Sequence, residues 1–133
     1  MLAERFLDTN ILIYAFAAQE PRSARAETLL ADGGVIGVQV LNEFTSVTRR
    51  KLGWHWKQIE AALVIAEELL GPALPLTTSI HAQAVLARDQ DLSFYDALIV
   101  AAVKDAGCRI LSTEDLQPGR KFATITIENP FRS

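Results

Sequence analysis

The sequence Arg5-Phe6-Leu7-Asp8-Thr9-Asn10-Ile11-Leu12 changes from one kind of secondary structure to another within a few residues. Its first three residues are typical of a short buried strand. The next three, Asp8-Thr9-Asn10, favour helix caps and turns over strand interiors. Residues 11–16 are apolar and predict a helix. The chain therefore begins with a strand and a helix, and Asp8 stands at the junction between them.

Strands and helices continue to alternate along the rest of the sequence. Further strands are predicted at 35–38, 109–111 and 123–127, with a short extended segment at 74–76. Helices are predicted at 23–31 with Ser23 as its N-cap, at 39–52, at 78–87, at 93–106, and in a segment that ends at Leu70. Strands separated by helices imply an α/β fold, with a central parallel sheet of four to five short strands and helices on both faces.

The composition favours one water-soluble domain spanning residues 1–133. Half of the residues are hydrophobic, and the mean hydropathy is +0.17. The lone Cys108 cannot form an internal disulfide, which fits a reducing cytoplasm. The longest apolar run, from Ile11 to Ala18, is far shorter than the ~18 residues of a membrane-spanning helix. We therefore expect a cytoplasmic protein that does not bind membranes.

The net charge of −3 neither supports nor excludes a nucleic-acid partner. If four of the 16 acidic residues lay together in a metal-filled pocket, the rest of the chain would carry slightly more bases than acids. The sequence contains no glycine-rich dinucleotide fingerprint, no phosphate-binding loop and no nucleophile elbow. His55, His81 and Cys108 are interpreted as structural residues, because none has the spacing of a metal ligand or an activated nucleophile.

Two of the candidate functional acids follow predicted strands. Asp8 ends the first strand, and Asp115 follows the strand at 109–111. Because parallel strands end at a common rim, where α/β proteins bind ligands, these acids are expected to meet. Each also has a structural interpretation: Asp8 as a helix N-cap and Asp115 as a turn residue.

The other two candidate acids lie on predicted helices. Glu43 is at the edge of the apolar stripe formed by Val40, Phe44 and Val47. Its structural interpretation is a helix-forming residue whose carboxylate reaches water. Asp96 lies in the first turn of a helix that is apolar nearly all round, where it also fits a capping pattern with Ser93. Four converging carboxylates would repel one another unless a cation neutralised them. Oxygen ligands of this kind select Mg²⁺ or Mn²⁺.

At these acids the sequence resembles the PIN-domain family, especially the VapC-like toxins of toxin-antitoxin pairs. The resemblance spans essentially the whole chain. Its segments are Phe6-Leu7-Asp8-Thr9-Asn10-Ile11-Leu12, Leu41-Asn42-Glu43-Phe44, Leu92-Ser93-Phe94-Tyr95-Asp96-Ala97-Leu98-Ile99, Leu111-Ser112-Thr113-Glu114-Asp115-Leu116 and Asn129-Pro130-Phe131.

By resemblance, the acidic metal-binding quartet consists of Asp8, Glu43, Asp96 and Asp115. Thr9, Asn10 and Thr113 are its polar supports, and the Thr-x-Asp pattern favours Asp115 over the neighbouring Glu114. The resemblance implies a Mg²⁺-dependent endoribonuclease, with Mn²⁺ as a plausible substitute. It also implies a homodimer and a small antitoxin protein that covers the acidic pocket. Trp54, Trp56, Phe94 and Tyr95 are candidate contact residues, and packing in the core is their structural interpretation.

Basic residues are candidates for contacts with RNA phosphates. The main candidates are Arg49 and Arg50, after the predicted helix that carries Glu43. Further candidates are Lys51, Lys57, Arg22, Arg25, Arg120 and Lys121. Cations also suit a helix C-terminus, which is the structural interpretation of the Arg49 group.

Three alternative functions remain open from the sequence. A haloacid-dehalogenase-like phosphatase has an Asp after its first strand but needs a second Asp two residues later, where this chain has Asn10. A receiver domain needs a pair of acids and a late lysine that this sequence does not show. A PIN-like module that only binds RNA or a partner would not need an intact acidic quartet.

Overall fold

The computed structural model describes residues 5–17, 20–87 and 89–132, and it has the α/β fold that the sequence predicts. Its elements in chain order are β1 (Arg5–Leu7), α1 (Thr9–Phe16), α2 (Ser23–Asp32), α3 (Val38–Arg50), α4 (Trp56–Leu70), α5 (Thr78–Leu86), α6 (Phe94–Ala106), β2 (Ile110–Ser112), β3 (Lys121–Phe122) and β4 (Ile125–Glu128). None of the helices in these residues is long and apolar enough to cross a membrane.

The four strands form one sheet in the order β1-β2-β4-β3. β1, β2 and β4 are parallel, and Phe6, Leu111 and Ile127 are partners across them. β3 pairs antiparallel with β4, so the prediction of a parallel sheet is confirmed for three strands and wrong for the fourth. β3 has only two residues and was not predicted.

The strand predicted at 35–38 is absent from the described residues. Val35 exchanges two backbone hydrogen bonds with β1, from Leu7 N–H to the Val35 carbonyl at 2.9 Å and from Val35 N–H to the Arg5 carbonyl at 3.0 Å. Gly37 forms a separate bridge with Leu74. The β-branched run cannot extend into a strand because α3 already begins at Val38.

The sheet is covered on both faces. Phe6 and Leu7 are consecutive strand residues whose side chains point to opposite faces, and both are fully buried. Leu111 and Ile127 continue this buried layer on β2 and β4. The three parallel strands therefore lie in the hydrophobic core, and their carboxyl ends reach the surface at one rim of the sheet.

Two of the three predicted helix caps are confirmed. The Asp8 carboxylate accepts a hydrogen bond from Thr9 N–H at the start of α1, and the Ser93 hydroxyl accepts one from Asp96 N–H at the start of α6. The prediction for Ser23 is wrong. Ser23 is the first residue of α2, and its hydroxyl donates to the carbonyl oxygens of Tyr14 and Ala17 at 2.6 and 2.9 Å. The Ser23 hydroxyl therefore ties α2 to the end of α1.

Candidate functional site

The carboxyl ends of β1 and β2 bring Asp8 and Thr113 side by side. Asp8 N–H donates to the Ser112 carbonyl at 3.0 Å, and Thr113 N–H donates to the Glu128 carbonyl at 3.0 Å. Both residues thus continue the parallel hydrogen-bond pattern just beyond the strands. The Thr113 hydroxyl donates to Asp8 Oδ2 at 2.7 Å, which joins their side chains.

All four candidate acids line one pocket of about 250 Å³ at this rim. Asp8 and Asp115 reach it from the strand ends, Glu43 from α3 and Asp96 from the first turn of α6. The remaining lining residues are Thr9, Asn10, Ile13, Ser46 and Val47. Residues separated by more than one hundred positions in the sequence therefore face the same space.

Thr9 makes hydrogen bonds to both Asp8 and Glu43, one through its backbone N–H and one through its hydroxyl. Asp8 Oδ1 accepts from Thr9 N–H at 2.7 Å, and the Thr9 hydroxyl donates to Glu43 Oε2 at 2.8 Å. Asp8 is only 5% exposed. Because each of its oxygens accepts from a protein donor, the carboxylate is held in one orientation.

Asn10 and Thr113 support the other side of the pocket. Asn10 Nδ2 donates to Asp115 Oδ2 at 3.1 Å and lies 3.4 Å from Thr113 Oγ1. Thr113 Oγ1 also accepts from Asp115 N–H at 3.1 Å, so it receives two donors while it donates to Asp8. Asn10 Oδ1 is buried and has no hydrogen-bond partner among the described residues. A buried acceptor of this kind is costly unless a donor or cation reaches it.

Burial raises the pKa values of three pocket acids. It raises the pKa of Asp8 to about 6, against the opposing hydrogen bonds from Thr113 and Thr9, and the charges of Asp115 and Glu43 add to the increase. Burial likewise raises the pKa values of Glu43 and Asp115, and the charge of Asp96 acts on both in the same direction. The pocket therefore disfavours its own ionised carboxylates.

No lysine or arginine compensates these acids within the described part of the chain. The ion pairs there join Arg5 to Glu128 and Arg22 to both Glu20 and Glu114. None involves Asp8, Glu43, Asp96 or Asp115. A cation that neutralises the pocket would therefore have to come from solution.

The pocket suits a hydrated cation better than a cation fully enclosed by protein. Across residues 5–17, 20–87 and 89–132, no three His, Cys, Asp or Glu side chains lie close enough together to hold one ion. Mg²⁺ commonly keeps several waters and uses only one or two carboxylates. The possible metal ligands that line the pocket are hard oxygen atoms, and they include Asn10 Oδ1, which has no hydrogen-bond partner in the part of the chain that the structure describes. The donor set therefore fits Mg²⁺ or Mn²⁺ with part of its water shell retained.

Comparison with protein families gives a match to the model of the PIN domain over residues 5–121. The chain belongs to the PIN domain family. Comparison with curated protein sequences gave no match.

Three solved structures resemble this PIN domain. VapC20 of Mycobacterium tuberculosis, a toxin that cleaves the sarcin-ricin loop, has 24% identity and a TM-score of 0.64 over 84% of this chain and 91% of its own. VapBC2 of Rickettsia felis, bound to a DNA fragment from its promoter, has 20% identity and a TM-score of 0.68 over 94% and 97%. FitAcB of Neisseria gonorrhoeae has 18% identity and a TM-score of 0.67 over 97% and 99%. At these identities the likeness establishes the fold.

Glu114 of the PIN domain has surroundings unlike those of Asp115. It is not among the residues that line the acidic pocket. The Tyr14 hydroxyl donates to Glu114 Oε1, and Arg22 Nη1 lies 3.2 and 3.0 Å from its two oxygens. Sequence reasoning did not find this group of three residues, because its members are far apart along the chain and form no local pattern.

Arg49 and Arg50 are exposed at the end of α3, and neither lines the pocket. Arg49 Nη1 donates to the Trp54 carbonyl at 2.9 Å, and its guanidinium lies 5.1 Å from the centroid of the Trp56 ring. Arg50 is seven residues after Glu43, which places it two turns along the same face of the helix. Their contact with RNA stays a prediction.

The other proposed contact residues differ in exposure. Trp54 is half-buried and packs edge-on against Phe44, with ring centroids 6.0 Å apart. Trp56, Phe94 and Tyr95 are exposed. Three pocket residues were missed: Ile13, Ser46 and Val47. Ser46 and Val47 follow Glu43 by three and four positions, and this helical spacing is the signal that could have found them.

Proposed function

We propose that this PIN domain is a divalent-metal-dependent endoribonuclease that hydrolyses RNA phosphodiester bonds at the acidic pocket. The observation that carries the proposal is the convergence of four acids, without a basic partner in the described residues, on one pocket. Carboxylates whose pKa values are raised and which line a common pocket are typical of functional sites.

Asp8 and Asp96 are the proposed principal ligands of Mg²⁺, for which Mn²⁺ would substitute. Glu43 and Asp115 are assigned to a second ion, a bridging water or the general base. Bound Mg²⁺ would lower the pKa of a water molecule and offset the negative charge of the scissile phosphate. As carboxylates that line the pocket, Glu43 and Asp115 could accept a proton from a water molecule.

Thr9, Asn10 and Thr113 are proposed to hold the acids in place. The Thr9 hydroxyl links α1 to Glu43, and the Thr113 hydroxyl links β2 to Asp8. Asn10 fixes Asp115 from the first turn of α1. Since Asp8, Glu43 and Asp115 are each held by a side-chain donor from another part of the chain, these three acids would keep their places when a cation enters or leaves.

RNA would be held by its phosphates on the basic residues near the pocket. Arg50 shares a face of α3 with Glu43, and a rise of about 1.5 Å per residue separates the two by roughly 10 Å along the axis. That separation is comparable to the spacing of one or two nucleotides along a single strand. Arg49 is positioned next to it by Trp54 and Trp56.

We assign the protein the role of toxin in a type II toxin-antitoxin pair, acting as a homodimer in the cytoplasm. The fold shared with VapC20, VapBC2 and FitAcB supports this assignment. The partner would be a small antitoxin protein that covers the acidic pocket. Light scattering of the purified protein at micromolar concentrations should give the mass of a dimer, and a monomer throughout would contradict that part of the proposal.

A metal-dependent cleavage assay tests the nuclease proposal. The purified protein is incubated with a mixed pool of single-stranded and structured RNA, with Mg²⁺, with Mn²⁺ and with EDTA. We expect cleavage with either metal and none with EDTA. Asp96→Asn, purified in the same way, controls for contaminating ribonucleases and should be inactive. Cleavage in EDTA, or equal cleavage by Asp96→Asn, would contradict the proposal.

Expression in a bacterial host tests the toxin role. Induction of the wild-type chain should arrest growth, whereas induction of Asp96→Asn should not. Sequencing of the RNA ends produced on induction would identify the cleaved RNA. Growth that continues unchanged on induction of soluble wild-type protein would contradict the toxin role while leaving the nuclease assay unaffected.

A further inference from the structure

Glu114 is anchored outside the acidic pocket by donors from two other elements. The Tyr14 hydroxyl on α1 donates to Oε1, and Arg22 Nη1, just before α2, contacts Oε1 and Oε2 at 3.2 and 3.0 Å. Hydrogen bonds in which both groups are charged are the stronger class. Glu114 is therefore fixed although its neighbour Asp115 faces the pocket.

The donors of Glu114 are themselves held in place. Arg22 Nε donates to Glu20 Oε1 at 2.6 Å, and the Arg22 guanidinium lies 3.9 Å from the centroid of the Tyr14 ring. The Tyr14 ring packs edge-on against Phe131 at 5.3 Å. Because Tyr14 and Arg22 support each other, they present a preorganised pair of donors to Glu114.

Asp115, in contrast to Glu114, is held by Asn10 and Thr113. Its N–H donates to Thr113 Oγ1, and its Oδ2 accepts from Asn10 Nδ2. The residue that follows, Leu116, is buried in the core. The segment from Ser112 to Leu116 is thus fixed at both ends, and between them Glu114 is held outside the pocket while Asp115 lines it. Rotation of Glu114 toward the pocket would disturb the backbone that carries Asp115.

We propose that Tyr14 and Arg22 are positioning residues that hold Glu114 outside the acidic pocket and thereby fix Asp115 within it. The inference rests on the proposed function, because it gives Asp115 a part in cation binding. It also assigns Arg22 to the support of the pocket rather than to an RNA phosphate. Without the two donors, Glu114 would be an unpaired carboxylate beside a pocket that already holds four.

Two measurements on the protein without RNA test this inference. Hydrogen exchange reports the mobility of residues 112–116, and electron paramagnetic resonance of free Mn²⁺ reports the affinity of the pocket. Tyr14→Phe retains the ring that packs on Phe131, and Arg22→Met retains much of the side-chain length. We expect both variants to speed exchange of the Asp115 amide and to weaken Mn²⁺ binding about ten-fold, or about 1.4 kcal/mol.

A double variant separates positioning from a direct effect of the arginine. If Arg22 acts through Glu114, Arg22→Met should have little further effect in a Glu114→Gln background. Arg109→Met is the matched control, since Arg109 is an exposed arginine at the other end of β2. It should change neither the exchange of residues 112–116 nor the affinity for Mn²⁺.

Each alternative result is decisive. Unchanged exchange and unchanged Mn²⁺ affinity in both single variants would overturn the inference. So would an effect of Arg22→Met that is equally large in the Glu114→Gln background. If the wild-type protein binds no Mn²⁺, the proposed metal site fails, and the exchange rates alone still decide whether Tyr14 and Arg22 position the segment.

Discussion

Two sets of acids in this domain differ in whether an arginine contacts them. We call Asp8, Glu43, Asp96 and Asp115 the pocket acids, and Glu20, Glu114 and Glu128 the paired acids. Each paired acid contacts an arginine. In the described residues, no pocket acid does. Glu114 and Asp115 are adjacent in the sequence, although one is a paired acid and the other is a pocket acid.

The pKa values of Glu20 and of three pocket acids differ in the same way. The hydrogen bond from Arg22 lowers the pKa of Glu20, whereas burial raises the pKa values of Asp8, Glu43 and Asp115. Arginine is available at this rim, because Arg22 reaches Glu114. The pocket therefore retains uncompensated negative charge although a compensating residue is close. Such an arrangement favours a cation that can bind and leave.

The largest expected effect of this difference is on activity. Asp8→Asn and Asp96→Asn should each reduce RNA cleavage at least about a thousand-fold, because each change removes one negative charge from the proposed Mg²⁺ site and an amide oxygen binds the ion more weakly than a carboxylate. Glu128→Gln, which removes the charge of a paired acid, should retain activity within about two-fold. Circular dichroism would check that each variant is folded. Comparable losses in Glu128→Gln and Asp8→Asn would remove the distinction between the two sets.

The second expected effect is on stability without metal. Because the pKa of Asp8 is about 6 in the native state and 3.8 when unfolded, the native state binds more protons between these values. Stability therefore falls as the pH rises through this window, by about 3 kcal/mol from Asp8 alone. Asp8→Asn should raise the free energy of unfolding by about 1–3 kcal/mol at pH 8.

Urea unfolding in EDTA at pH 8 and pH 4 measures this effect. At pH 4 the gain from Asp8→Asn should largely disappear, because the wild-type carboxyl is then mostly protonated in the native state. Asp89→Asn, at an exposed position, should shift the free energy of unfolding by less than about 0.5 kcal/mol at either pH. A variant Asp8→Asn that is less stable than the wild type at pH 8 would contradict the assigned cost of burial.

The third expected effect is on the pH dependence of metal binding. A carboxyl must lose its proton before it binds a cation. Below the Asp8 pKa of about 6, the dissociation constant for Mn²⁺ should rise about ten-fold per pH unit. Protonation of Glu43 and Asp115 would steepen the dependence. Mn²⁺ titrations between pH 5 and pH 7.5 measure it, and a constant affinity over this range would contradict the proposal.

Local features of the fold could be predicted from the sequence because local interactions produce them. The caps at Asp8 and Ser93 depend on backbone groups one and three residues away, so the residue types alone indicate them. β3 had no such signal. It joins β4 through Ala123, whose φ of +54° is unusual for alanine. A glycine or asparagine at this position would have indicated such a turn, but alanine does not.

Part of the candidate site could also be predicted from the sequence, but the reason is the order of the elements and not a local interaction. Strand ends in a parallel sheet meet at one rim, and this places Asp8 and Asp115 together from the order of elements alone. The arginine partners have no comparable rule. Arg22 and Glu114 are 92 residues apart, and Arg5 and Glu128 are 123 apart. Only the folded chain shows that Glu114 is paired and Asp115 is not.

The smallest expected effect concerns the paired acids themselves. Arg5 and Glu128 are partly exposed, and pairs of this kind contribute up to about 1 kcal/mol in water of low ionic strength. Glu128→Gln should therefore lower the free energy of unfolding by less than about 1 kcal/mol, and 1 M NaCl should remove most of the difference. Arg5→Met should lower the free energy of unfolding by more, because Arg5 also donates to the buried hydroxyl of Ser112 at 2.9 Å.

If the loss of stability from Glu128→Gln instead matched the gain from Asp8→Asn, the paired and the pocket acids would make electrostatic contributions of similar size. The absence of a basic partner would then no longer explain why the pocket favours a cation.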